Sequence, residues 1–214
     1  MSQNNDTIFI IYFIHSISRS LDMQTNLLDA IDDCIKAVEQ LKLPSSINFI
    51  EQTALLLATC FQNGGKIILA GNGGSLCDAC HFAEELTGYF RKARRPLPAI
   101  ALSEPGHITC TANDKGFEWI FSRGVEAYGK TGDVFIGLTT SGNSLNIIRA
   151  FEQAKNQSMH TIAFLGKDGG VLKDVADFEL IIQGFQTSDR IQEAHMAAIH
   201  LIIELVEVHL FAKN

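Results

Sequence analysis

A histidine and a glutamate spaced four residues apart are the first residues in the chain whose types and spacing suggest chemistry. His81 and Glu85 stand in a stretch with helical periodicity, so both side chains project from one face of a helix. An imidazole and a carboxylate on adjacent turns can bind one divalent metal ion together. An ion pair on a solvated helix surface is the ordinary alternative, and it is favoured unless something nearby indicates a ligand pocket.

The C-terminal helix, predicted over residues 189–211, carries further candidates in Gln192, Glu193, His195 and His200. Gln192 and His200 are eight residues apart, which separates them by about 80° around the helix axis. Gln192 and His195 lie closer to one face. Spacing alone leaves His195 and His200 as alternatives, and for each of them burial in a core or an interface is the commoner role.

A glycine-rich loop precedes the helix of His81 and Glu85. Gly71-Asn72-Gly73-Gly74-Ser75 follows the short apolar run 66–70, which predicts a buried parallel strand. Its glycines let the backbone turn sharply, and the helix that follows presents free N–H groups to an anionic ligand. The loop lacks both the Lys-Ser/Thr end of a P-loop and the final glycine of a dinucleotide fingerprint. Its position one turn upstream favours a ligand site at His81 and Glu85.

A second loop is rich in hydroxyl groups. The predicted strand 133–138 runs into Thr139-Thr140-Ser141-Gly142-Asn143-Ser144, which has four hydroxyls within six residues at the start of a helix. Hydroxyls and exposed main-chain N–H groups can hold a phosphate without a lysine. Helix capping is the alternative role for these residue types. One hydroxyl is enough for a cap, so this loop predicts a phosphate site that meets the glycine loop.

Together these motifs resemble the sedoheptulose-7-phosphate isomerases, or phosphoheptose isomerases, of the sugar isomerase (SIS) domain family. The resemblance runs from about Asn26 to the C-terminus, and it is carried by residues 70–75, 77–79, 81–88, 140–144, 166–170 and 189–193. It implies one Zn²⁺ per subunit, held by His81, Glu85, Gln192 and His200. The resemblance, and not the spacing, therefore selects His200 over His195.

The resemblance also implies an aldose–ketose isomerisation. D-Sedoheptulose 7-phosphate becomes D-glycero-D-manno-heptose 7-phosphate through an enediol, as the first step of ADP-heptose or another nucleotide-heptose biosynthesis for lipopolysaccharide and related glycoconjugates. Such a step needs a base, an acid and stabilisation of the enediolate oxygen. Glu85 and His200 are the implied catalytic pair, with zinc as the implied Lewis acid. The implied substrate-binding residues are Asn72, Gly73, Gly74, Glu85, Asn113, Asp114, Thr139, Thr140, Ser141, Ser144, Asp189 and Gln192.

Three positions depart from the family pattern. Tyr89 stands where an arginine is usual, and Arg91 lies two residues further on, so one substrate contact lacks its usual residue. Leu76 replaces a frequent histidine outside the four metal positions. Thr139 replaces a common serine and keeps the hydroxyl group.

The composition indicates a globular chain in a reducing compartment. With 214 residues, 46% of them hydrophobic, the chain can bury one sizeable core. The net charge of −7 argues against nucleic-acid partners, and the short basic run 91–95 reads as a solvated helix end. Five cysteines at irregular spacing predict free thiols and a cytoplasmic location. Cys77-Asp78-Ala79-Cys80-His81 fits a haem-attachment pattern, but its predicted place inside a helix disfavours that interpretation.

Alternating strands and helices predict an α/β fold, a single SIS domain with a five-stranded parallel sheet flanked by helices in a flavodoxin-like three-layer sandwich. Two extra N-terminal helices, 24–43 and one capped by Ser45 or Ser46 and running to residue 62, are expected to be surplus to the sheet. The other predicted strands are 98–102, 159–165 and 177–182, with helices from residue 75 and at 117–128 and 143–156, and a loop at 104–107.

Residues 1–22 stand apart from this domain. Their apolar run 8–14 is too short to span a bilayer and lacks the flanks of a signal peptide. We expect residues 23–214 to form the SIS domain and residues 1–22 to be a non-native or disordered extension, with a short interfacial anchor as the alternative.

The apolar character of the C-terminal helix predicts assembly. Its residues Leu201, Ile202, Ile203, Leu205, Val206, Val208 and Leu210 leave almost no polar face. We expect a homotetramer with shared active sites, in which His200 completes a site whose glycine loop belongs to a neighbouring subunit.

Two other functions are considered. One is a non-catalytic SIS protein that regulates replication by binding the initiator protein; that relative lacks the carboxylate and the last-helix histidine, so Glu85 and His200 favour an enzyme. The other is a sugar-phosphate-sensing SIS domain of a DNA-binding regulator, and this sequence shows no DNA-binding segment.

Overall fold

The computed structural model describes residues 23–212, in which five parallel strands form one sheet with the order β2-β1-β3-β4-β5. The strands are β1 (Ile67–Gly71), β2 (Ala99–Ala101), β3 (Val134–Thr139), β4 (His160–Gly166) and β5 (Phe178–Ile182). The helices are α1 (residues 23–39), α2 (Pro44–Gln62), α3 (Gly74–Thr87), α4 (Pro105–Asp114), α5 (Ile120–Tyr128), α6 (Leu145–Asn156) and α7 (Ser188–Phe211). The predicted sheet and its five strands are confirmed, with no strand end shifted by more than one residue.

The chain divides into two compact units, residues 1–36 and residues 37–214. The described part of the first unit, residues 23–36, is helical and exposes Met23, Leu27, Leu28, Ile31 and Ile35. The predicted extension 1–22 lies outside the described residues. The second unit holds the sheet and every residue of the site described below.

Helices cover both faces of the sheet in the second unit. On one face α2, α3 and α7 bury Phe49, Leu57, Phe82 and Ile199, and on the other α5 and α6 bury residues such as Phe121 and Phe151. Strands β1 and β3 are therefore buried on both sides, which explains their near-continuous apolar sequences. The expectation that α2 is surplus to the sheet is wrong, because α2 supplies much of one core layer.

Two local predictions are corrected by the way helices begin. The loop predicted at 104–107 is the first turn of α4, where the Glu104 carboxylate accepts hydrogen bonds from the Gly106 and His107 N–H groups at 2.8 and 2.5 Å. These bonds lower the pKa of Glu104. Helix α2 begins at Pro44 with Leu43 as its cap, so neither Ser45 nor Ser46 caps it. Proline at the first helical position is a start signal in both cases.

Helix α7 is long and apolar enough, by length and composition, to cross a membrane. A core helix passes the same criterion, and α7 buries Ala198, Ile202 and Val206 against the sheet and its neighbours. Within the single chain, Leu201 and Val208 stay 43% and 53% exposed. The helix is therefore only partly buried by its own subunit.

Candidate active site

The two predicted ligand loops leave the sheet side by side. Strands β1 and β3 are parallel neighbours, and Gly71 at the end of β1 is paired with Leu138 near the end of β3. The sheet order reverses between these strands, because β2 lies outside β1 while β4 and β5 follow β3. Ligands of open parallel sheets bind at such a reversal, outside the carboxyl ends of the strands. The predicted meeting of the two loops is confirmed.

Two glycines are required by this geometry. A Cβ on Gly71 would lie 2.4 Å from the main-chain oxygen of Ser75, so only glycine lets the helix turn back this closely. Gly142 has a φ of 64°, and a Cβ there would lie 1.8 Å from the carbonyl oxygen of Gly169. Both loops are thus held against neighbouring main chain and keep a fixed shape.

A cavity of about 440 Å³ opens between the loops. It is lined by Asn72, Gly73, Gly74, Ser75, Leu138, Thr139, Thr140, Ser141, Ser144, Ser188 and Gln192. The cavity is bordered by the first residues of α3 and α7 and by Ser144, the cap residue of α6, so three positive helix ends lie around one space. Eight of the predicted substrate-binding residues are brought together here; Ser75 and Ser188 were not predicted.

The hydroxyls of the cavity are not used as helix caps. Ser144 stands at the cap position of α6, yet its side chain makes no capping hydrogen bond and lies 3.1 Å from the Thr139 hydroxyl. The Thr140 hydroxyl lies 3.0 Å from that of Ser188. Each hydroxyl pair offers both donors and acceptors to a ligand. This arrangement weakens the capping interpretation of the 139–144 loop.

A reciprocal amide pair joins the glycine loop to the first turn of α6. Asn72 and the buried Asn146 of α6 exchange two hydrogen bonds through their side chains, at 3.0 and 2.9 Å. Each side-chain amide thus donates one hydrogen bond to the other and accepts one from it. The pair fixes the spacing between the glycine loop and the start of α6.

Four predicted substrate-binding residues lie outside the cavity lining. Glu85 belongs to the cluster described below, and the other three are Asn113, Asp114 and Asp189. Asn113 and Asp114 are exposed at the end of α4 and are hydrogen-bonded to each other at 2.8 Å. Asp189 is exposed at the start of α7, and hydrogen bonding, chiefly from the Thr187 side chain, lowers its pKa. The structure therefore does not bring these three carboxyl and amide groups to the cavity of their own chain.

Three of the four predicted metal-ligating side chains, those of His81, Glu85 and His200, meet within one chain. Ligand atoms of His81, Glu85 and His200 all lie within 4.8 Å of one another. The two Nε2 atoms are 2.9 Å apart, and His81 Nε2 is 3.5 Å from a Glu85 carboxylate oxygen. Two imidazoles and a carboxylate form a donor set that suits Zn²⁺. Because one chain supplies all three, we now expect His200 to join the cluster of its own subunit rather than that of a neighbouring one.

Three neighbours of the cluster escaped the sequence analysis. Glu84 Oε1 lies 3.3 Å from His81 Nδ1, the usual arrangement for orienting a metal-binding imidazole. The Phe90 ring stacks on His200 at 5.8 Å between centroids. Asp78, one turn before His81, has a buried carboxylate oxygen without a hydrogen-bond partner, and burial raises its pKa to about 6, against the opposing charge of His81. Glu84 and Asp78 each had a sequence signal, because both stand three residues from His81 on the same helix.

Two other residues singled out from the sequence, Gln192 and Tyr89, have surroundings that differ from those of the three cluster residues. The Gln192 amide donates to the Ser75 hydroxyl at 3.2 Å and lies against Gly74, so Gln192 contacts the glycine loop. Tyr89 is 69% exposed. Arg91, the nearest arginine to the missing family position, pairs with Glu204 of α7 at 2.5 Å. Arg91 is therefore engaged away from the cavity.

The alternative ligand His195 is a core residue. It is fully buried, and its Nε2 lies 2.8 Å from the carbonyl oxygen of Leu165 at the end of β4. A carbonyl only accepts, so Nε2 carries the proton and Nδ1 is left buried without a partner. His195 ties α7 to the sheet edge that carries the cavity.

His195 should make the fold sensitive to acid. Burial lowers its pKa to about 4, so it stays neutral in the fold while the unfolded chain binds a proton below about pH 6.5. The contribution of neutral His195 to the free energy of unfolding is complete above pH 6.5 and is lost as the pH falls toward 4. We expect urea unfolding at pH 5 to show a loss of roughly 2 kcal/mol relative to pH 7.5, much reduced in His195→Gln. An identical pH dependence in both proteins would contradict this assignment.

Comparison with known proteins agrees with this geometry. A family model of the SIS domain matches residues 28–166. A phosphoheptose isomerase of Fusobacterium nucleatum is 60% identical over 164 residues, which cover 77% of this chain and 84% of the relative. One of Vibrio cholerae is 54% identical over 158 residues, 74% of this chain and 83% of the relative.

A solved structure extends the match to three dimensions. The phosphoheptose isomerase of Neisseria gonorrhoeae is 37% identical with a TM-score of 0.78, and the match covers 86% of this chain and 98% of that one. The chain belongs to the phosphoheptose isomerases of the SIS domain family and is an isomerase acting on a small molecule. This result decides against the non-catalytic alternative.

Proposed function

We propose that the enzyme converts D-sedoheptulose 7-phosphate to D-glycero-D-manno-heptose 7-phosphate, the first step of nucleotide-heptose biosynthesis. The observation that carries the proposal is that a hydroxyl-lined anion cavity and a His₂Glu cluster stand on the same two helices, α3 and α7. The first can hold a phosphate and the second can move a proton. The phosphoheptose isomerase relatives supply the substrate class.

The cavity binds the 7-phosphate through hydroxyls and helix ends. Thr139, Thr140, Ser141 and Ser144 donate from one loop, while Ser75 and Ser188 stand at the starts of α3 and α7. The positive ends of three helices favour a dianion, and among the described residues no lysine or arginine lines the cavity. Asn72 and the glycine loop are proposed to contact the sugar.

Glu85 and His200 are the proposed catalytic pair. Isomerisation takes a proton from C-1 of the ketose, forms an enediol and returns a proton to C-2. The Glu85 side chain is 18% exposed, so its carboxylate is largely desolvated but still reachable by a substrate. The His200 ring, held between His81 and Phe90, can pass a proton between the two substrate oxygens. We assign proton abstraction from carbon to Glu85 and transfer between oxygens to His200.

His81, Glu85 and His200, with Gln192 as the fourth ligand, are the residues proposed to hold one Zn²⁺ per subunit. The histidine and carboxylate donors fit that ion, and Glu84 is placed to orient His81. A bound zinc ion supplies a Lewis acid for the substrate's oxygens.

Incubation of the purified protein with sedoheptulose 7-phosphate, followed by product analysis, tests the function. We expect heptose 7-phosphate to form, activity to fall on treatment with a chelator and to return with Zn²⁺. Sedoheptulose without the phosphate should be turned over far less well, because the cavity then has no ligand. Equal turnover of the two sugars would contradict the proposed phosphate site. Absence of turnover with either sugar would contradict the proposed reaction.

We further propose a cytoplasmic homotetramer. Cys60, Cys77, Cys80 and Cys110 are free thiols, in keeping with a reducing compartment. Several large apolar side chains are exposed on the single chain, including Ile47, Leu55, Leu201 and Val208. Monomers rarely expose so many, and closed symmetric assembly covers them. Light scattering should give the mass of four chains, whereas a monomeric mass would contradict the proposal.

A further inference from the structure

The basic run 91–95 was expected to be a solvated helix end, and the structure corrects this for one residue. The Arg94 side chain is only 2% exposed and lies between the end of α3 and the face of α7. Its Nε donates to a Glu207 carboxylate oxygen at 2.6 Å, and the Glu207 side chain is itself only 10% exposed. This is a desolvated ion pair, in contrast to the exposed pairs elsewhere on the surface.

The other nitrogens of Arg94 hold the last turn of α3. Its Nη2 donates to the carbonyl oxygen of Glu85 at 2.7 Å, and its Nη1 to that of Leu86 at 2.9 Å, with longer contacts to the carbonyls of Gly88 and Arg95. Carbonyls in the last turn of a helix have no partner within the helix. Arg94 fills that role for α3, and its charge is favourable at this helix end.

The partner of Arg94 is on the helix of His200. Glu207 lies seven residues after His200, two turns along the same face of α7. The segment that carries Arg94 makes two more contacts on this face, because Phe90 stacks on His200 and Arg91 pairs with Glu204. One arginine therefore joins the main chain of Glu85 to the helix that presents His200.

We propose that Arg94 and Glu207 are positioning residues that set the separation of Glu85 and His200. Neither touches the cavity or the cluster ligands' side chains; they act by bonding α3 at Glu85 to α7. A planar guanidinium with donors in three directions can make these bonds together, whereas a lysine offers a single point charge. The inference rests on the proposed function for its kinetic consequence, but not for its effect on the geometry of the cluster.

The test compares Arg94→Lys and Glu207→Gln with Lys66→Met in the full-length protein. Lys66 pairs with the buried Asp133 at the opposite end of the strands, so this control loses a partly buried ion pair far from the site. Metal-free proteins are titrated with Zn²⁺ against a chromophoric chelator. We expect Arg94→Lys to bind zinc about 10-fold or more weakly, Glu207→Gln to show a smaller loss, and Lys66→Met to match the wild type.

Kinetics with sedoheptulose 7-phosphate give the second readout. We expect kcat to fall about 10-fold or more in Arg94→Lys with KM within about threefold, because the phosphate cavity is untouched. If Arg94→Lys does not fold, Glu207→Gln is judged by the same criteria. Zinc affinity and kcat within about twofold of wild type in the variants, or equal losses in Lys66→Met, would overturn the proposal. A wild type inactive on this sugar would refute the substrate, while the zinc titration still decides the positioning role.

Discussion

Glu85→Gln and His200→Gln should each lower kcat by about a thousandfold or more while the fold is retained. Glutamine keeps the size of the carboxylate but cannot take a proton from carbon, and in place of His200 it cannot carry one between oxygens. Positioned acids and bases contribute roughly 10²–10⁴-fold each, and loss of a metal donor adds to the effect. Steady-state kinetics on purified variants, with circular dichroism and unfolding curves for the fold, measure the result.

Matched controls separate this effect from general damage. His209→Gln repeats the histidine-to-glutamine change at an exposed position of α7. Glu152→Gln repeats the glutamate-to-glutamine change at an exposed position of α6. Both should keep near wild-type kcat. Near-normal activity in Glu85→Gln or His200→Gln would refute the catalytic assignment. Because one chain supplies the whole cluster, mixing the two inactive variants should restore no activity, and recovery would show that sites are completed between subunits.

Ser144→Asp should raise KM by roughly a hundredfold without loss of stability. Aspartate is a good capping residue and its charge suits the start of α6, so the helix should be retained. The same carboxylate would face the phosphate across the cavity, and two like charges about 5 Å apart cost about 3 kcal/mol at an effective dielectric constant near 20. Initial-rate measurements over a wide substrate range give KM.

Ser144→Asn is the neutral control for this charge. It caps comparably and removes the same hydroxyl, so its KM should rise only a few fold. Equal KM values for the aspartate and asparagine variants would show that the phosphate does not occupy this cavity.

The parts of the site that follow local patterns were predicted from sequence. The spacing of His81 and Glu85 fixes them on one face of α3, and the two loops must meet because the carboxyl ends of parallel strands share one edge. The choice of His200 over His195 needed the family resemblance. The structure gives a physical reason for this choice, since His195 is hydrogen-bonded to the carbonyl oxygen of Leu165 inside the core.

The rest of the site and its surroundings depends on contacts between segments that are distant in sequence. Such contacts leave no periodic signal in the sequence. Arg94 stands in a basic run that looks solvated, and only the closeness of α3 and α7 buries it. Ser188 joins the cavity because α7 starts beside the 139–144 loop, although the two are far apart in sequence. Helix α4 was missed because its cap is Glu104, a residue type outside the usual capping set.

Turnover of sedoheptulose 7-phosphate in D₂O, followed by NMR, tests the central claim most directly. Proton transfer through an enediol by a carboxylate that remains 18% exposed predicts an aldose product that carries solvent deuterium at C-2, and none with Glu85→Gln. An aldose in which the hydrogen at C-2 comes entirely from C-1 of the substrate, or no aldose at all from the wild type, would contradict the account.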